Sequence, residues 1–338
     1  MSILIPSAIL ATMTIDDRNP SDCVEPIDIE ENTLPDVASD TGLRNGRLDW
    51  VGMNAIDLPI LLIDDAGGNL RVPARVGAFV DLRAAETRGI HMSRLYQQLD
   101  RALSAEPLSP RVLRELLGSL LASHGESSTR ARVQIAFEYF LRRPALASDH
   151  SGWRRYPITV AATLECDTFE LEIAFETIYS STCPASAALA RQLVAEDFGH
   201  AFPTDMPLDR SAIRRWLASE HGMRATPHSQ RSIAAITVQL DPSLASLPLT
   251  ALIDRAEAAL RTPVQTAVKR IDEQAFARRN GENLMFCEDA ARRLQAAFDV
   301  EPGVRDFQLR VTHLESLHAH DAVAEARKSA VDRQIPPS

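Results

Sequence analysis

The sequence predicts an α+β fold of antiparallel sheets with helices on one face. Three observations carry this: an early pair of alternating runs joined by a turn signal, two helical stripes after it, and a second pass through a similar order later on. Leu48–Asp64 and Asn69–Leu82 flank Asp65-Ala66-Gly67-Gly68, a hairpin signal, so two antiparallel strands are expected. Met92, Leu95, Leu99 and Leu103 then recur at helical spacing within His91–Leu103, and Pro110–Leu121 carries a second apolar stripe. Arg130–Leu141 alternates again and Pro144 closes it; Pro157–Leu164 and Thr168–Ile178 form another pair across Glu165–Asp167.

Ser186–Val194 and Asp209–Leu217, with their loops, fill the stretch before Pro227, after which Ser232–Leu240 reads as a strand. Leu249–Leu260 and Leu284–Phe298 read as helices and Phe307–Thr312 as a further strand. The order β-β-α-α-β followed by β-β-α-β-α-α-β suggests two similar modules and argues against a doubly wound sheet. The expected division is an acidic, proline-bearing, disordered tail over 1–46, a first module over 47–150, a second over 151–326 with an inserted segment around 187–224, and a C-terminal tail over 327–338.

A length of 338 residues, 45% hydrophobic and 24% charged, is ordinary globular usage and excludes a disordered, collagen-like or coiled-coil chain. The net charge of −10 repels polyphosphate backbones, so no nucleic-acid partner is expected and any phosphate site is local. Cys23, Cys166, Cys183 and Cys287 are too few and too scattered for a disulfide scaffold, which predicts reduced thiols in the cytoplasm. Residues 3–11 are apolar but lack a preceding Lys or Arg and contain Pro6, so neither a signal peptide nor a membrane span is expected. Dinucleotide, P-loop, nucleophile-elbow and paired C-x-x-C motifs are all absent.

Ligand-bearing residues concentrate in three segments of the second half: 182–186 around Cys183, 225–232 around His228, and 314–321 with Glu315, His318 and His320. Thiolate, imidazole and carboxylate together suit a zinc-like divalent ion, and three protein ligands leave a position for water. From spacing alone, a cysteine before proline is more often a small packed residue, and His228 a capping or hydrogen-bonded imidazole. His318 and His320 share a face if extended, as such pairs also do on solvated strands. Glu288 falls beside the stripe Leu284, Cys287, Ala291, Leu294 and Phe298; half-sunk there, its carboxylate would match the two-donor edge of guanine, and otherwise it is an exposed helix glutamate near Arg292.

The wording of these segments is more specific than their chemistry. Arg88-Gly89-Ile90-His91-Met92-Ser93-Arg94 resembles the K-G-I-H-M-S-R stretch of the prokaryotic type IB GTP cyclohydrolase I family, and Glu315–Asp321 resembles its E-S-I-H-x-H-D. Cys183-Pro184 with Ser186 resembles C-P-C-S, and Ala225–Ser232 resembles G-A-H-N-Q-R-S, in the family's order. Val51-Gly52, Lys269-Arg270 and Asp272-Glu273 extend the resemblance over roughly Leu48 to Ala324.

The resemblance implies a tunnelling fold of two modules, a homotetramer with active sites at subunit interfaces, and metal-dependent hydrolysis of GTP to 7,8-dihydroneopterin triphosphate and formate in pterin or deazaguanine supply. By the same resemblance one divalent ion, Zn, Mn or Fe, is held by Cys183, His228 and Glu273. Glu288 anchors guanine; His91 and Arg94 lie near the nucleotide, Arg94 at the triphosphate; Glu315, His318 and His320 complete the catalytic cluster with Cys183. Activated water would attack guanine C8 while His318 or His320 moves protons. Ala185 stands where many members of the family have a second cysteine, and Arg88 replaces the usual lysine. Ala185 keeps open a non-catalytic nucleotide-binding homologue, and the fold keeps open an enzyme acting on another purine or pterin.

Overall fold

Alternating runs fold as strands because successive side chains meet opposite faces. The computed structural model describes residues 38, 40–42, 46–64 and 67–328 and, among these, contains one sheet of eight strands. β1 (Leu48–Ile63), β2 (Asn69–Leu82), β3 (Arg130–Pro144), β4 (Ser151–Glu165), β5 (Thr168–Thr182), β6 (Ser229–Leu240), β7 (Val304–His313) and β8 (Ala322–Arg327) lie side by side in chain order. Every neighbouring pair is antiparallel. At the β1–β2 turn Gly67 has φ +83°, and the Asp64 amide donates to the Gly68 carbonyl at 2.8 Å, as the turn signal predicts. Gly52 is fixed by close approach: a Cβ there would lie 2.0 Å from the Ala78 carbonyl oxygen.

Helices fill the connections. α1 (Met92–Ala105) and α2 (Pro110–His124) join β2 to β3; α3 (Pro184–Ala201) and α4 (Arg210–Leu217) join β5 to β6. α5 (Leu249–Leu260), α6 (Arg270–Glu282) and α7 (Cys287–Asp299) join β6 to β7. Leu95, Leu99, Leu103, Leu113, Leu117 and Leu120 are buried against the first strands, and Leu252, Leu260, Leu294 and Phe298 against the later ones, in one continuous core. At about 25 cal/mol per Å² of apolar surface, this burial is the main stabilising contribution to the fold.

Two elements were not expected. α6 buries a single side chain, Asp272, so it shows no apolar stripe; its N-terminus is held instead by hydrogen bonds. Asp272 Oδ1 accepts from the amides of Ala147 and Ser148 at 2.7 and 2.8 Å, and Oδ2 from the Ser148 hydroxyl and the Lys269 amide. Those donors, the Ser148 hydroxyl foremost, hold its carboxyl far below the usual range and pin α6 to the β3–β4 turn. β8 is only six residues long and half-buried, too short for a clear period. The helix expected over Leu284–Phe298 begins at Cys287, because the Met285 amide donates to the Thr182 carbonyl and holds that stretch extended.

The expected tail over 1–46 lies outside the described residues except at 38, 40–42 and 46. There the chain runs beside the loop after β2, with the Gly42 amide donating to the Glu86 carbonyl. Of the tail over 327–338, only 327 and 328 are described: Arg327 closes β8, and the Lys328 amide donates to the Phe307 carbonyl.

Candidate active site

β5, β6 and β7 change character along their length. Their inward residues are Leu171, Ile173 and Phe175 on β5, Ala234, Ile236 and Val238 on β6, and Leu309 and Val311 on β7. At one end these give way to Thr177, Tyr179 and Ser181, to Gln230 and Ser232, and to His313, all buried. Adjacent strands place these polar groups opposite one another. Ser181 and Ser232 hydroxyls lie 2.8 Å apart, and Tyr179 Oη lies 2.9 Å from His313 Nε2.

The chain leaves β5 at this end through Cys183, the N-cap of α3, with Pro184 in the first turn. The Ser186 amide donates to Cys183 Sγ at 3.4 Å, and the Ser186 hydroxyl accepts from the His228 amide at 3.1 Å. The Cys183 amide donates to the His228 carbonyl, continuing the β5–β6 ladder, so the thiol and the imidazole sit on adjoining chains. His228 Nδ1 lies 3.0 Å from Gln230 Oε1 and 3.8 Å from Glu315 Oε2. Gln230 Nε2 donates to Ser181 Oγ at 3.0 Å and to Glu315 Oε1 at 3.2 Å. His318 and His320 follow in the exposed β7–β8 loop, their rings stacked with centroids 5.0 Å apart.

Glu288 lies in the first turn of α7 and is exposed in the single chain, not half-sunk, because Cys287 and Ala291 take the core-facing positions. Its own backbone amide and the Cys287 thiol, which donates at 3.3 Å, hold its carboxyl below the ordinary range. Burial pushes the Cys287 thiol up to about 11 and drives the His313 imidazole down to about 4 against the opposing pull of Glu288. Burial also raises the Tyr179 hydroxyl well above its usual value.

The remaining expected residues lie elsewhere. Glu273 is exposed at the start of α6, near the β3–β4 turn. His91 caps α1 and Arg94 donates to the Ser123 carbonyl, at the opposite end of the sheet from Cys183. A fifteen-residue strand separates those ends, roughly 50 Å at about 3.3 Å per residue. The sulfur and imidazole of Cys183 and His228 have the chemistry a zinc-like ion takes. Among the described residues no three His, Cys, Asp or Glu side chains gather closely enough to hold a metal. A groove of about 880 Å³ lies instead over β1–β4, lined by Pro59, Arg71, Arg75 and Phe137.

Sequence reasoning did not single out Tyr179, Ser181, Gln230, Ser232 or His313 as site residues. Their signal is polar side chains at inward strand positions where the rest of the run is apolar.

The chain matches the family model described as type I GTP cyclohydrolase folE2 over residues 34–324. It is 48% identical over 294 residues to GTP cyclohydrolase FolE2 of Pseudomonas putida (strain GB-1), covering 87% of this chain and 95% of that one. Solved structures that align with it include uricase from Arthrobacter globiformis, at 12% identity and TM-score 0.47, covering 88% of this chain and 98% of that one. A uricase from Bacillus fastidious aligns at 8% identity and TM-score 0.43, covering 82% and 92%. No helix among the described residues is long and apolar enough to cross a membrane. A family match over most of the length, together with a relative identical at nearly half the aligned positions, makes the chain a member of the type I GTP cyclohydrolase folE2 family.

Proposed function

We propose that this cyclohydrolase opens the imidazole ring of GTP and releases formate and 7,8-dihydroneopterin triphosphate at a site centred on Cys183 and His228. The observation that carries this reading is the polar end of β5–β7, where the His228 imidazole meets the Glu315 carboxylate and Cys183 sits on the adjoining chain, beside an interior that is otherwise apolar. Cys183, His228 and Glu273 would hold one divalent ion. When bound, that ion supplies Lewis-acid activation of water, and zinc, manganese and iron all accept such a donor set. Glu288, exposed and held ionised, accepts hydrogen bonds from guanine N1–H and the exocyclic amine. His318 and His320 give a proton at N7 and collect one as water adds to C8 and the ring opens to a formamide; a second water releases C8 as formate, and the opened ribose rearranges and recloses onto the freed amine with loss of water. Glu315 faces His228 and holds its ring in place.

His91 and Arg94 act from a second copy of the chain, Arg94 on the triphosphate. Their position at the far end of the sheet from Cys183 supports active sites at subunit interfaces of a homo-oligomer, a tetramer in this reading. The inserted segment of α3 and α4 exposes Leu189, Leu193, Leu208 and Leu217, as an interface element would. The two modules are proposed to meet at the β3–β4 turn.

The test strips the protein with chelator, restores zinc, manganese or iron separately, and follows formate and a fluorescent pterin from GTP. Metal-dependent appearance of both is expected, with metal lost from Cys183→Ala and His228→Ala by elemental analysis. Metal retained by both variants overturns the ligand assignment, and a fully active monomer in sedimentation overturns the interface sites.

A further inference from the structure

We infer that Gln230 is a positioning residue that fixes the neutral His228 ring as its Nδ1–H tautomer, leaving the lone pair on Nε2. The chain of contacts starts at Glu315, whose Oε1 accepts from the Gln230 amide. The end of the Gln230 amide that meets Glu315 Oε1 at 3.2 Å is therefore its NH2, and the same nitrogen donates to Ser181 Oγ at 3.0 Å. The other end, 3.0 Å from His228 Nδ1, is then the carbonyl oxygen, which has no proton to offer. A contact at that distance requires Nδ1 to carry the hydrogen. Glu315 Oε2, 3.8 Å from the same Nδ1, favours the same arrangement.

The amide cannot turn over to reverse this. Gln230 is buried at 8% exposure, and both its hydrogens and its oxygen are engaged. Ser181 Oγ, which accepts from Gln230, lies 2.8 Å from Ser232 Oγ, so a continuous row of hydrogen-bonded groups runs from Glu315 across β6 and β5. An isolated imidazole favours the opposite tautomer, with hydrogen on Nε2; here the nitrogen that must bind a metal is kept bare by a neighbour on the same strand. The inference rests on the reading of His228 as a metal ligand.

The experiment uses full-length protein labelled with ¹⁵N-histidine, free of metal, at about pH 8.5, well above the ordinary imidazole value of ~6.5. His228 is identified as the resonance pair missing from His228→Ala. The parent is expected to show the Nδ1–H signature, and Gln230→Met to lose it while its zinc Kd, measured by chelator competition, weakens about 10–100-fold. Exchanging the partners, Gln230→Glu with Glu315→Gln, keeps an acceptor at 230 for His228 and moves the donor of the 230–315 contact to 315, and should restore the signature; a merely structural role would not be rescued this way. An Nε2–H signature in the parent, or an unchanged signature and Kd in Gln230→Met, overturns the inference. If His228→Ala binds zinc as tightly as the parent, the ligand reading alone fails, and the tautomer spectra still decide the role of Gln230.

Discussion

The two halves of the sheet use one architecture for different ends. Over β1–β3, α1 and α2 press Leu95, Leu99, Leu113 and Leu117 onto Val76, Ala78, Val133 and Ile135, and the helix-facing interior is apolar along most of its length. Over β5–β7 the same kind of interior is apolar for half its length and then turns to Tyr179, Ser181, Gln230, Ser232 and His313. Each of those groups gives up water and recovers it only through a partner of suitable geometry. A fold that can be closed with leucine and valine alone, as its first half nearly is, has no structural need of a buried histidine. The polar end therefore marks the part of the molecule shaped by chemistry, and the leucine-lined half the part shaped by packing.

Three measurements sharpen or break this contrast. The largest stability effect belongs to the packing half: Leu117→Ala is expected to cost about 2–5 kcal/mol in denaturant unfolding, with turnover per folded molecule unchanged. A comparable loss of turnover in the folded fraction would show that the halves are not separable. Next is acid sensitivity of the polar end. His313 has a folded value of about 4 against about 6.5 unfolded, so between these values the unfolded state binds more protons. Its contribution is complete above ~6.5 and lost as pH falls towards ~4, roughly 3 kcal/mol in total. His313→Phe should flatten the fall in Tm across that window, and an unchanged slope would assign the loss to other groups. The smallest stability effect is Ser232→Ala, about 1 kcal/mol, yet it removes a hydrogen-bond partner of the Ser181 hydroxyl that accepts from Gln230 and should reduce turnover.

Much of this was legible in the sequence. The hairpin of β1 and β2, the stripes of α1, α2 and α5, and the alternation of β3 to β7 follow from apolar periodicity, and the motif wording carried the family. What periodicity misses is what polar contacts build. α6 is held by Asp272 and its four donors, three of which lie more than a hundred residues away on Ala147 and Ser148. The stripe Cys287, Ala291, Leu294 and Phe298 is the face the core takes, but periodicity does not set how far Glu288, beside that stripe, sinks, and it stays exposed. Gln230 sits in the same quoted segment as His228. Its use depends on Ser181 and Glu315, 49 and 85 residues away, which only the fold brings alongside.

Strand order identical to chain order bears on how the molecule is made. No strand has to be inserted between two that have already paired, so each one, as it leaves the ribosome, finds its neighbour already synthesised. The topology lets the sheet be extended from a single edge, starting at β1. Helical excursions such as α1–α2 shorten the span that β3 must close to reach β2. The polar end of β5–β7 is completed only when the last long strand arrives, which leaves the chemistry of this enzyme until the scaffold beneath it is already in place.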